Sequence, residues 1–74
     1  MNIEFKLKEG NEESAFIELN KLLKATQICS SGAMANHYIT DGLVKLNGNV
    51  DTRKRAKIRR GDSVVVEKTT IIVL

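Results

Sequence analysis

The chain has 74 residues, with 42% apolar and 28% charged side chains, a net charge of +3, one cysteine, one histidine and no proline. That is one domain, 1–74, with a thin core: at this size folding hides only ~60% of the unfolded surface. Cys29 and His37 alone supply neither an internal disulfide nor a structural zinc site, no apolar run approaches a membrane span, and the charged N-terminus does not read as a secretory signal; the expectation is a cytoplasmic domain with no metal, cofactor or membrane partner.

Asn2 to Lys8 alternates, with Ile3, Phe5 and Leu7 on one side, and predicts a half-buried strand. Asn11 is a candidate N-cap, Glu12 and Glu13 suit the positive end of a helix, and Phe16, Leu19, Leu22 and Leu23 recur at helical spacing; a first helix is expected from Asn11 to about Ala25. After a short connection with Ile28 tucked under, a second helix starts at Ser30 or Ser31 and runs to about Asp41. Gly42 is its left-handed terminator, and Ala35, Tyr38 and Ile39 form its buried side. Val44 and Leu46 then alternate with Lys45, and Asn47-Gly48 marks a hairpin before Val50. Gly61-Asp62 is a second turn, 63–67 a β-branched strand, Lys68-Thr69 a third turn and 70–74 a last strand. The layout is α+β: two short helices on one side of a small, mostly antiparallel sheet of four to five strands.

Charge is distributed unevenly. Residues 53–60 hold six of the twelve Lys and Arg and no acid, so the six others face nine Asp and Glu. Such a focus of positive charge on an otherwise acidic domain suits a polyanion, whose condensed counterions are released on binding. In extended backbone Arg53, Arg55, Lys57 and Arg59 share one face while Ala56 and Ile58 point the other way. A glycine-rich phosphate loop, metal-ligand spacing and a nucleophile with its base are all missing, and so short a chain offers no deep pocket; no catalytic residue and no small-molecule substrate are expected. The start of the second helix, Ser30-Ser31-Gly32-Ala33, offers free N–H groups, and Gly32 lacks the side chain that would block an anion's approach; by itself this reads as a helix cap, and it gains a role only beside the basic segment. With Phe5 and Phe16 assigned to buried faces and Tyr38 to the core, no aromatic platform for base stacking is expected, which favours recognition of backbone and shape.

The ordered set Ser31, Ala35, Tyr38-Ile39, Gly42, Val44, Leu46-Asn47-Gly48 and Gly61-Asp62, preceded by Leu22-Leu23-Lys24, resembles the RNA-binding domain named after the fourth protein of the small ribosomal subunit, the αL RNA-binding motif. The resemblance covers about residues 14–67 and is closest in kind to the small stand-alone bacterial members. It implies a structured RNA partner such as rRNA or tRNA, reached on the ribosome or free. By position it implies a surface built from Ser31, Gly32 and Asn36, from Lys45, and from Arg53, Lys54, Arg55 and Lys57. Gly32 and Asn36 stand where the family commonly carries basic residues, which shifts weight to the basic segment. Two other readings compete. A DNA-binding regulator would use the helix pair, but the second helix has little besides Asn36 to read base edges. A β-grasp carrier would need a flexible Gly-Gly end, and this chain ends Ile71-Ile72-Val73-Leu74.

Overall fold

The alternating stretches of the sequence assemble into a five-stranded sheet whose apolar side is covered by two helices. The computed structural model describes residues 1–7 and 16–74. In chain order the elements are β1 (Asn2–Phe5), β2 (Ile17–Glu18), α1 (Leu19–Ala25), α2 (Gly32–Thr40), β3 (Val44–Leu46), β4 (Asn49–Val50), β5 (Lys57–Ile58), β6 (Ser63–Val66) and β7 (Thr69–Val73). The sheet runs β1-β7-β6-β3-β4, antiparallel except for the parallel pair β1–β7, and β2 and β5 form a separate two-stranded ribbon. Period-two patterning places Val44, Val64, Val66, Ile71 and Val73 on one face, all buried. Leu19, Leu22 and Leu23 of α1 and Ala35 and Ile39 of α2 complete that core, with Ile28 and Tyr38 partly buried against it. The α+β expectation, with helices on one side of a mostly antiparallel sheet, holds.

Local chemistry explains the joints. Ser31 caps α2, its hydroxyl accepting the Met34 N–H at 3.2 Å. The helix closes in a Schellman arrangement: Gly42 at φ +77° donates to Ile39 and the Leu43 N–H reaches back to Tyr38. Asn47 and Gly48, at φ +50° and +88°, make the two-residue hairpin between β3 and β4. Two boundaries differ from expectation. The last hairpin turns at Glu67-Lys68, not Lys68-Thr69, because Thr69 already pairs with Val66 and Glu67 takes the positive φ.

The first helix differs more. The expected cap at Asn11 lies outside the described residues, and at Ile17–Glu18 the chain is extended, paired antiparallel with Lys57–Ile58. Helix α1 begins only at Leu19. Its first N–H groups, which no helix can satisfy internally, donate to carbonyls of the basic segment: Leu19 to Ala56 at 2.9 Å and Asn20 to Lys54 at 3.0 Å. A long-range backbone partner thus replaces the local cap, and Phe16 leaves the apolar stripe assigned to it: it is 42% exposed.

Candidate nucleic-acid interface

The basic segment is anchored from inside and braced from both ends. Ala56 and Ile58 are buried in the core, as the alternation requires, and β5 is held by β2. Regular alternation starts only there. Upstream, the Ala56 N–H bonds to the Arg53 carbonyl, so residues 53–56 form a turn with Lys54 and Arg55 at its tip. All the Lys and Arg of residues 53–60 are exposed, and Arg53, Arg55, Ala56 and Lys57 border an open depression.

Acids outside the basic run face two of its arginines. Asp51 accepts the Arg53 backbone N–H at 2.9 Å, Nε at 3.0 Å and Nη2 at 2.7 Å. Those side-chain hydrogen bonds hold the Asp51 carboxyl below its ordinary range against the opposing effect of burial, with the backbone bond and the Arg53 charge adding to it; the same partner raises the Arg53 guanidinium. Glu18, at the head of α1, lies 3.1 Å from Lys21 Nζ and 3.8 Å from Arg55 Nε. Lys57 stands opposite Glu18 in the ribbon, with its Nζ 5.0 Å from the centre of the Phe16 ring; Arg59 Cζ is 6.0 Å from the same point. Arg53 and Arg55 thus face acids, and Lys57 and Arg59 an aromatic ring, from a backbone held by hydrogen bonds and two buried side chains.

Helix α2 reaches this segment through one intermediary. Asn20 donates its side-chain amide to Asn36 Oδ1 at 3.1 Å while its backbone N–H holds Lys54. Asn20 Oδ1 is itself buried without a hydrogen-bond partner. At the N-terminal end of α2, Ser31 is exposed, and a Cβ built on Gly32 would meet nothing within 4 Å. Lys45 lies apart. Its neighbours in β3, Val44 and Leu46, point into the core, so it projects from the opposite face of the sheet, and none of the hydrogen bonds and ion pairs seen among the described residues ties it to residues 53–60. The middle of α2 and the basic segment are therefore linked by hydrogen bonds through Asn20, and Lys45 is not part of that junction.

Elsewhere the chemistry is quiet. Cys29 is buried, and burial, reinforced by the charge of Glu67, pushes its thiol up, the reverse of what a nucleophile needs. Glu67 likewise raises the Tyr38 phenol, chiefly through its charge. His37 sits on the exposed side of α2, with Nε2 3.1 Å from Asp41. Among the described residues no His, Cys, Asp and Glu gather as a metal site, and no helix is long and apolar enough to cross a membrane. Sequence reasoning missed Asn20, Glu18, Asp51 and Phe16. Only Asp51, two residues before Arg53 in a segment with turn character, left a local signal; the others depend on the β2–β5 pairing.

The arrangement has relatives. YbcJ of Escherichia coli (strain K12), named as a candidate RNA-binding protein, is 48% identical over 48 residues, covering 65% of this chain and 69% of YbcJ. YbcJ of Shigella flexneri, an uncharacterized protein, matches to the same extent. The solution structure of YbcJ from E. coli, described as revealing an αL motif involved in RNA binding, superposes with a TM-score of 0.69 at 37% identity, over 96% of this chain and 85% of that one. The model of the S4 domain matches residues 11–74, nearly the whole chain, and the chain belongs to the S4 domain family.

Proposed function

We propose that this protein is a non-catalytic RNA-binding module that docks on a folded RNA such as rRNA or tRNA, on the ribosome or free in the cytoplasm. It does so through the phosphates and 2′-hydroxyls of the RNA, with little reading of base edges. The observation that carries this is the basic segment itself: a run of exposed cations on a backbone pinned by two buried side chains, a strand pairing and the head of α1. Pre-ordering of that kind lowers the conformational entropy lost on binding. Arg53, Lys54, Arg55 and Lys57 supply charge, and on α2 Asn36 and the N-terminal Ser31 and Gly32 offer a second contact, where N–H groups and open space suit an anion. The printed descriptions of YbcJ point to the same ligand class.

Replacing Arg53, Arg55 and Lys57 together by Glu tests it, read out as binding to a structured RNA with circular dichroism as the control for folding. Binding is expected to fall by roughly 100-fold or more, because three phosphate contacts are lost and repulsion is added. For the unaltered protein, three to five neutralised phosphates predict a slope of log Kd against log salt of about 2 to 4.5. Unchanged affinity in a folded triple variant overturns the proposal, and stronger competition by a DNA duplex than by the RNA favours a DNA-binding regulator.

A further inference from the structure

Phosphate binding leaves Phe16 without a task. An aromatic side chain ordinarily contributes its large area to a core or an interface, yet this one is 42% exposed. Its position is not accidental to the backbone: Ile17 pairs with Ile58, which is wholly buried, and packs on the core, so the preceding side chain is directed outward. The ring then lies within 5.0 Å of Lys57 Nζ and 6.0 Å of Arg59 Cζ. An apolar π-face bordered by two cations matches the two chemical halves of a nucleotide, a flat base and an anionic phosphate.

We propose that Phe16 is a stacking platform for one unpaired base of the bound RNA, with Lys57 and Arg59 engaging the phosphates that flank that nucleotide. This rests on the RNA-binding reading above and adds to it a contact that tells unpaired from paired nucleotides. Magnitudes allow the exchange. An exposed cation–π contact is worth ~2- to 5-fold in an equilibrium constant, whereas a base stacked on an aromatic ring is worth ~5- to 100-fold. A base therefore displaces the Lys57 ammonium from the ring, and the ammonium gains a phosphate oxygen in return.

The test uses two blunt RNA duplexes, one fully paired and one carrying a single bulged adenosine. The unaltered protein is expected to prefer the bulged duplex. Phe16→Leu should weaken binding to the bulged duplex by ~5- to 50-fold, leave the paired duplex unchanged, and keep the salt slope, since no phosphate contact is removed. Phe16→Trp should retain the preference, and because the chain has no other tryptophan, quenching of its fluorescence by the bulged duplex alone reports the stack directly. Equal affinity of the unaltered protein for both duplexes, or an equal effect of Phe16→Leu on both, overturns the platform while sparing RNA binding. Binding to neither duplex removes the parent reading and the platform together.

Discussion

The two halves of the candidate interface are built on opposite plans. The basic segment carries the charge and is heavily braced: Asp51 clamps Arg53, Glu18 approaches Arg55, and Ala56 and Ile58 plug into the core. The N-terminal end of α2 carries no charged side chain, only a Ser cap, a helix terminus and unfilled space around Gly32. In the proposed function the first half would obtain affinity from cations whose freedom has already been restricted, and the acids beside them would also subtract from the potential offered to a phosphate. The second half subtracts nothing and offers little. The comparison teaches that the count of basic residues overstates the free charge of such a surface, while the helix end understates what could be added.

Breaking the anchor of the braced half should have the largest consequence. Ile58→Ala removes a fully buried side chain from the strand that presents the segment. A loss of ~2–5 kcal/mol in denaturant unfolding is expected, with RNA affinity falling even under conditions where the variant stays folded. If affinity of the folded variant is untouched, the bracing is irrelevant to binding.

The open half can be sharpened instead of broken. Gly32→Arg places a cation where a Cβ meets no neighbour, so thermal stability should hold. Affinity for structured RNA should rise by ~3- to 10-fold, with the salt slope steeper by ~0.7–0.9, the value of one added phosphate contact. An unchanged slope means that this helix end does not face the ligand.

The smallest effect concerns the clamp. Because the Asp51 carboxyl is held below its ordinary value in the folded protein, it adds stability at neutral pH. That contribution is lost as pH falls from ~4 through the depressed folded value. Asp51→Asn should cost no more than ~1 kcal/mol at pH 7, since Arg53 is exposed and screened, and should flatten the decline of the melting temperature below ~pH 4. An acid limb of unaltered steepness shows that other carboxylates control it.

Much of this was legible because it is written in local chemistry. The sheet strands follow from period two in Val44–Leu46 and Ser63–Val66, the hairpin from Asn47-Gly48, and α2 from Ser31 and Gly42, all residues whose preferences act within a few positions of themselves. The inward turn of Ala56 and Ile58 was equally plain. The ribbon β2–β5 was not: Phe16, Leu19, Leu22 and Leu23 satisfy a helical period as well as an amphipathic helix does, and nothing local says that the backbone at Ile17 and Glu18 will prefer a partner some forty positions away. Once Lys54 and Ala56 offer carbonyls to Asn20 and Leu19, the helix starts late and Phe16 turns to solvent. The sequence by itself determined where charge is concentrated, most of the core and most of the strands, since composition and periodicity are properties of short stretches. Only the tertiary structure decided that Glu18 and an aromatic ring stand beside that charge, because Glu18 and Phe16 reach it through the pairing of β2 with β5, two segments that meet only after the chain has closed on itself.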